Sequence, residues 1–179
     1  MKLAMLFVVL MLFSCNDKSK SQSSSQESTF NLNSDLYRFK QQMTDIDTLR
    51  VWFNHSACTS RSYEFLEVTK QQDSIQIVSW FEGMSEYEDS KRRKLYEKRI
   101  SEKDTLWDFA LFLRQNVKRQ NMENKGQGLL QVIHKSDTLK YFSSGIIDRL
   151  HFQADYMSTM LALYPEYVGD VYKGFLEEE

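Results

Sequence analysis

His55 and Cys58 are a pair of residues whose types and spacing could do chemistry, because they lie three positions apart. A cysteine becomes a nucleophile when a nearby base takes its proton, and His and Cys at this spacing also occur in metal sites. Zinc needs three or four protein ligands, and the remaining candidates are His134, His151 and scattered carboxylates. We therefore assign no metal, cofactor or catalytic residue, and we expect a buried Cys58 beside a surface or capping His55.

Other catalytic and cofactor motifs are missing from the sequence. The G-x-S-x-G turn of serine hydrolases does not occur, and Gly126 and Gly128 lack the third glycine of a nucleotide-binding fingerprint. Two carboxylates that could cleave a glycoside cannot be picked out from 25 acidic residues without coordinates. The sequence therefore favours a non-catalytic domain and leaves an enzyme open as the alternative.

The other cysteine, Cys15, directly follows an apolar leader. Met1 and Lys2 form a short positive start, and residues 3–13 are an unbroken apolar run. As a helix this run is about 16 Å long, roughly half the hydrocarbon thickness of a bilayer. Such a segment is typical of the apolar region of an export signal rather than of a transmembrane span.

The end of this leader, Leu12-Phe13-Ser14-Cys15, resembles the lipobox of bacterial lipoprotein precursors. The resemblance implies that residues 1–14 are a signal peptide, removed before Cys15. It also implies that Cys15 carries a diacylglyceryl group on its thiol and a fatty acyl chain such as palmitate on its amine. Two or three chains anchor a protein stably, whereas one chain anchors it only marginally. The expected location is the cell membrane or the outer membrane, with the rest of the chain in the periplasm or at the cell surface.

Composition divides the remaining chain into a tether and a domain. Residues 16–29 contain no apolar side chain and cannot bury enough surface to offset chain entropy. Residues 15–29 are therefore predicted to be a lipidated cysteine followed by a disordered tether. From Phe30 onward Trp, Tyr, Phe and Ile become frequent, and residues 30–179 are predicted to form one globular domain of ordinary size.

The charge balance gives no sign of a nucleic-acid partner. Lys and Arg total 23 against 25 Asp and Glu, so the formal net charge is -2. The basic residues of 91–99 are mixed with acidic ones at i,i+4 spacing, which favours a solvated helix face over a contact for phosphate or anionic lipid. The expected partners are the membrane, through the lipid anchor, and a protein or peptide in the envelope.

Alternating apolar side chains predict five strands, at residues 48–54, 63–69, 75–81, 129–134 and 139–141. In the first strand one side carries Leu49, Val51 and Phe53, and the other carries Arg50, Trp52 and Asn54. Adjacent apolar residues, Phe65-Leu66 and Ile77-Val78, indicate either a bulge or burial on both faces. Trp52, Trp80 and Trp107 all fall on predicted core elements.

The sequence predicts five helices. Apolar residues at helical spacing predict four of them: one from Ser34-Asp35 to Met43, one capped by Asp104, one capped by Ser143 or Ser144, and one that starts at Tyr167 and runs into residues 177–179. Charge density predicts the other, from about Glu86 through the charged segment to 103. The helix capped by Asp104 has the buried stripe Leu106, Phe109, Leu113 and Val117. The helix capped by Ser143 or Ser144 has the buried stripe Ile147, Leu150, Ala154, Met157 and Leu161, and Pro165 ends it.

This order of elements predicts an α+β fold, in which an antiparallel sheet of hairpins has helices packed on one face. The layout of the chain resembles that of small uncharacterised lipoproteins of Bacteroidota. The predicted function is a lipid-anchored cell-envelope protein with a non-catalytic binding domain of unknown ligand. The alternatives are an envelope hydrolase with an unrecognised active site and an immunity-type lipoprotein that neutralises a toxin.

Overall fold

The computed structural model describes residues 27–56, 61–84, 91–122 and 128–176. The predicted signal peptide, the lipidation site Cys15, the tether up to residue 26, Cys58 and Gly126 lie outside the described residues. Within these ranges the strands form one sheet in which all pairs are antiparallel, ordered β4-β3-β2-β1-β5-β6. The strands are β1 Thr48–Asn54, β2 Arg61–Gln71, β3 Ser74–Met84, β4 Lys91–Ser101, β5 Leu130–His134 and β6 Asp137–Tyr141.

Residue alternation determines which face of the sheet is buried. In β1, Leu49, Val51 and Phe53 are buried, as the sequence predicts. The slipped alternation in β2 and β3 is not a bulge between these two strands, because their register is continuous from Arg61 to Gln71. Phe65 and Leu66 instead point to opposite faces, and the face bearing Phe65 is half-buried. Apolar side chains therefore occupy both faces of the central strands.

The charged segment Lys91–Ser101 is a strand, so the prediction of a helix there is wrong; the predicted start at Glu86 lies outside the described residues. The segment pairs with β3 along its length, with an irregularity in the register between Ser79 and Trp80. Hydrogen bonding to β3 and burial of Tyr96 outweigh the local preference for a helix. A strand rich in Lys and Arg at the edge of a sheet also discourages pairing with other chains.

The amino-terminal helical segment begins earlier than predicted and is interrupted. It consists of α1 Leu32–Asp35, a 3-10 turn Leu36–Arg38 and α2 Phe39–Gln42. Asn31, rather than Ser34-Asp35, caps α1, because its side-chain oxygen accepts from the backbone N–H groups of Asn33 and Ser34. This segment packs against the core through Leu32, Leu36 and Phe39.

The helix predicted after Asp104 begins four residues later, as α3 Phe109–Gln115, and its cap is Asp108. The Asp104 carboxylate instead accepts from the backbone N–H of Trp107 in the preceding turn. Leu106 is 77% exposed and does not belong to the buried stripe, and Val117 is also exposed in the 3-10 turn Val117–Asn121 that follows. Phe109 and Leu113 are buried as predicted.

The helix α4 Ile146–Leu163 exists where predicted but presents a different face to the core. Ile147 and Leu150, predicted to be buried, are 72% and 59% exposed. The buried side chains are Phe152, Tyr156, Met160 and Leu163. Gly145 occupies the N-cap in place of a serine, while the Asp148 carboxylate accepts from the Ser144 backbone N–H. After Pro165, α5 Tyr167–Leu176 closes the described chain.

The helices pack on one face of the sheet, which confirms the α+β fold class. The Tyr156 ring of α4 stacks on the Phe53 ring of β1 with centroids 3.7 Å apart, and Tyr167 of α5 is buried against the same side of the sheet. Among the described helices, none combines the length and the apolar character that crossing a bilayer would require. We call the other side of the sheet the open face, because no described element packs across it.

Candidate functional site

Glu64 of β2 forms a polar cluster beneath the helices with His55, Ser79, Tyr156 and Tyr167. Its carboxylate accepts from the Ser79 hydroxyl at 2.7 Å and from the Tyr156 hydroxyl at 3.1 Å, and the Tyr167 hydroxyl also donates to it. His55 Nε2 lies 3.2 Å from the same carboxylate. The Glu64 side chain is fully buried and that of His55 is 6% exposed. The cluster therefore joins β2 to α4 and α5 within the core.

The two tyrosines keep their protons at physiological pH. Burial raises the pKa of Tyr156 and of Tyr167 well above the ordinary value, and the nearby Glu64 carboxylate raises both further. Protonated hydroxyls are hydrogen-bond donors, which is what an enclosed carboxylate requires. The cluster is thus a satisfied network inside the core, and a substrate has no access to Glu64.

His134 belongs to a second buried cluster, at the other end of β1. Its Nε2 lies 2.9 Å from Asp47 Oδ1, and the Asp47 carboxylate also accepts from Thr44, through the backbone N–H and the hydroxyl, both at 2.8 Å. The Ser28 hydroxyl donates to Asp47 as well, and the Phe30 ring meets the His134 ring edge-on. This cluster fastens the start of the described chain to β1 and β5.

The histidines proposed as candidates from the sequence are therefore not brought together. Seven residues of β1 separate the cluster of His55 from that of His134, and His151 is exposed on α4. Within the described ranges, no group of three or more His, Cys, Asp or Glu side chains could hold a metal ion. Cys58 lies outside the described residues, so its predicted burial stays a prediction.

The open face carries a shallow depression with a volume of about 640 Å³. It lies over β1, β2, β3 and β5 and reaches the flanking strands β4 and β6. The side chains that line it and point away from the helices are Arg50, Trp52, Phe65, Glu67, Trp80, Arg92, Gln131, Ile133 and Lys140. Aromatic, cationic and amide groups thus share one solvent-accessible surface.

Three aromatic residues form a row across this surface. Trp52 of β1 pairs in register with Phe65 of β2, which in turn pairs with Trp80 of β3. Adjacent strands lie about 4.8 Å apart, so the row extends over about 10 Å. Tyr63 stacks beside Trp52, with ring centroids 5.1 Å apart, and holds the orientation of the indole.

Cationic side chains surround the aromatic row. The Arg92 guanidinium lies 4.6 Å from the centroid of the Phe65 ring and 5.0 Å from that of Trp80, within cation–π range. Arg50 Nε lies 3.7 Å from the Glu67 carboxylate, an ion pair that is exposed on both sides. Arg92 and Lys140 have no ion-pair partner among the described residues. The lining therefore contains more positive than negative charge.

The prediction that all three tryptophans belong to the core is correct only for Trp107, which is 1% exposed. Trp52 and Trp80 are half-buried and line the depression. The signal that could have revealed this was the alternation itself, since Trp52 falls with Arg50 and Asn54 rather than with the apolar set of β1. Compared with models of known families, with curated proteins and with solved structures, the chain gives no match.

Proposed function

We propose that this chain is a lipid-anchored protein of the bacterial cell envelope, and that its folded domain binds a ligand on the open face without catalysing a reaction. The lipid anchor at Cys15 is supported by the resemblance of Leu12-Phe13-Ser14-Cys15 to a lipobox. The binding role is supported by one observation, the depression lined by Trp52, Phe65 and Trp80 together with two cations, Arg92 and Lys140, that form no ion pair with any described residue. The part of the predicted tether before residue 27 would separate the domain from the lipid, because Ser28 already bonds to Asp47 of the domain.

Aromatic side chains on a concave, accessible surface favour a binding role for physical reasons. Large rings bury much area for few rotatable bonds, so they contribute strongly when a ligand covers them. Left uncovered, they retain the unfavourable hydration of apolar surface. A face that combines three such rings with polar groups of both charges has the composition of a ligand site.

The hydrolase alternative receives less support from the arrangement of the side chains. The lining of the depression among the described residues holds a single carboxylate, Glu67, and that carboxylate is paired with Arg50. The histidine–carboxylate pairs of the protein, His55 with Glu64 and His134 with Asp47, lie on the helix side and are enclosed. An immunity role would be a special case of binding, with a toxin covering the same face.

The anchor is tested by replacing Cys15 with Ser in the full-length chain, expressed in a bacterium with lipoprotein-processing enzymes. We expect the variant to lose incorporation of labelled palmitate and to leave the membrane fraction, because the acylated thiol is gone. Cys58→Ser is the matched control and should keep both properties. A Cys15→Ser protein that stays fully membrane-bound would contradict the proposed anchor.

Binding on the open face is tested by hydroxyl-radical footprinting of the full-length protein, in isolated envelopes and after solubilisation in detergent. We expect slower oxidation of Trp52 and Trp80 in envelopes, where the ligand is present. Leu106 is exposed outside the depression and serves as the control, with equal rates in both samples. Equal rates for the two tryptophans as well would contradict binding on this face.

A further inference from the structure

We propose that the ligand of the open face is an acidic oligosaccharide, a chain of pyranose rings bearing carboxylate or sulfate groups. This inference rests on the proposed binding function and specifies the chemistry of its ligand. Three features carry it: the spacing of the aromatic row, the surplus of cations around it, and the pairing of the backbone beneath it.

The aromatic row suits a ligand with flat apolar faces and polar edges. Sugar rings present C–H groups on their faces and hydroxyls around their edges. Trp52, Phe65 and Trp80 supply apolar ring atoms over about 10 Å, of which the Arg92 guanidinium covers a part at Phe65 and Trp80. Gln131 and Glu67 supply hydrogen-bonding groups beside the row. A fatty acid would need an enclosed apolar pocket instead, whereas this depression is open along the sheet.

The charges beside the row select for an anionic chain. Arg92 is stacked over Phe65 and Trp80, which orients its planar guanidinium on the solvent side of the two rings. Guanidinium groups bind carboxylate and sulfate through two parallel N–H bonds, and stacking leaves their N–H edges available. Lys140 provides a second cation on the opposite side of the row, since β6 and β4 flank the sheet.

The backbone of the sheet argues against an extended peptide on this face. Peptides gain affinity on sheets by pairing with an edge strand through main-chain hydrogen bonds. The four strands under the depression, β3, β2, β1 and β5, each have a neighbour on both sides. Recognition on the open face must therefore come from side chains alone. A nucleic acid is disfavoured because the formal net charge of the protein is -2 and, within the described part of the chain, the lining of the depression holds two cations without an ion-pair partner.

The proposal is tested by affinity electrophoresis of the detergent-solubilised, full-length protein in native gels that contain a polymer. Polygalacturonate and dextran sulfate are the acidic probes, one with carboxylates and one with sulfates. Fully methyl-esterified polygalacturonate and dextran are their neutral counterparts. Polyglutamate and poly(dT) test a peptide and a nucleic acid. We expect retardation by at least one acidic polysaccharide, with binding at least about tenfold weaker for its neutral counterpart and for the two other polyanions.

Variants connect this binding to the open face. Arg92→Gln combined with Lys140→Gln should weaken binding of the retained polysaccharide about tenfold, because both cations are lost. Lys103→Gln combined with Lys118→Gln changes the net charge equally at exposed positions outside the depression and should leave binding unchanged. Trp52→Ala should weaken binding at least as much as the charge variant. If Trp52→Ala does not fold, the variant that combines Arg92→Gln with Lys140→Gln still tests the open face, because both of its substitutions are at exposed positions.

Four results would overturn the inference: no retardation by either acidic polysaccharide, equal retardation by a neutral counterpart, equal retardation by polyglutamate or poly(dT), or equal losses in the two charge variants. The envelope footprint separates these failures from failure of the proposed function. Protection of Trp52 and Trp80 without binding of an acidic polysaccharide would retain a ligand on this face and reject only its chemistry.

Discussion

Two fully buried carboxylates, Glu64 and Asp47, show how single residues hold this domain together. An isolated buried charge is costly, so each carboxylate requires donors around it. Glu64 accepts hydrogen bonds from hydroxyl groups of β3, α4 and α5. Asp47 accepts hydrogen bonds from residues that precede β1, and it lies against His134 at the end of β5. The donors come from elements distant in sequence, so each carboxylate ties separate elements to one point.

Asp47 makes the stability of the domain depend on pH in the acid range. Burial raises the pKa of Asp47, but hydrogen bonds from Ser28 and Thr44 and the contact with His134 outweigh it, so the pKa is below its ordinary value. A carboxylate whose pKa is lower when folded stabilises the fold fully above its unfolded pKa of about 3.9. That stabilisation is lost as the pH falls through the lower, folded-state pKa.

We therefore predict that Asp47→Asn lowers the free energy of unfolding by about 2 kcal/mol at pH 7, the typical loss for a charged hydrogen-bond acceptor. The difference between wild type and variant should shrink as the pH falls below about 4, because Asp47 of the unfolded wild-type chain then takes up a proton before Asp47 of the folded chain does. Urea denaturation followed by circular dichroism at several pH values measures both effects. Asp45→Asn, in the exposed turn just before, is the control. A difference that stays constant from pH 7 to the acid limit would refute this account.

At the scale of elements, α4 shows why a helix can be predicted while its buried face cannot. Its apolar residues at 147, 150, 154, 157 and 161 form a regular stripe, yet the face packed on the sheet is the one bearing Phe152 and Tyr156. Aromatic side chains bury more area than aliphatic ones, and Tyr156 also reaches the Glu64 carboxylate. The spacing of apolar residues along the helix does not reveal that Tyr156 stacks on Phe53 or that it bonds to Glu64.

Two alanine substitutions on α4 test this orientation. Phe152→Ala should lower the free energy of unfolding by about 3 to 5 kcal/mol, because it opens a cavity between the helix and the sheet. Leu150→Ala should cost less than about 1 kcal/mol, since the side chain is 59% exposed. Urea denaturation of both variants provides the comparison. Because both substitutions place alanine in the same helix, helix propensity does not explain a large difference between their losses of unfolding free energy. Equal losses would show that the buried face is assigned wrongly.

The strands were predictable where alternation was clear, and β4 was not. In β1, β5 and β6, side chains that alternate between apolar and polar correctly predict the strands and the residues that are buried. In Lys91–Ser101 the charged residues satisfy helical i,i+4 spacing, while Tyr96 is buried in the core and Leu95 and Ile100 pack against it partly buried. The strand forms because β3 offers unpaired backbone groups along its edge, which is a tertiary effect absent from the local sequence.

At the scale of the whole molecule, the candidate site depends on the arrangement of strands from both halves of the chain. The depression combines Trp52 and Phe65 from the first hairpin with Gln131 and Lys140 from the last. These meet because β5 pairs with β1 despite the long separation in sequence. In β1 the alternation separates the apolar side from the side that carries Trp52, but in β2 and β3 apolar residues on both faces hide which face the helices cover. The sequence analysis therefore did not predict the site, and it assigned two of its residues, Trp52 and Trp80, to the core.

The same long-range connections predict that the described domain unfolds as one cooperative unit. Glu64 links β2 with α4 and α5, and Asp47 links the start of the described chain with β5. If either the sheet or the helical layer unfolded alone, the buried carboxylates would lose hydrogen-bond donors. Trp107→Phe leaves Trp52 and Trp80 to report on the open face, and Trp52→Phe combined with Trp80→Phe leaves Trp107 to report on the core beside α3. Within each variant, the urea midpoint from tryptophan fluorescence should equal that from far-ultraviolet circular dichroism. Separate midpoints in either variant would mean that the sheet and the helical layer unfold independently, and that the buried carboxylates do not couple them.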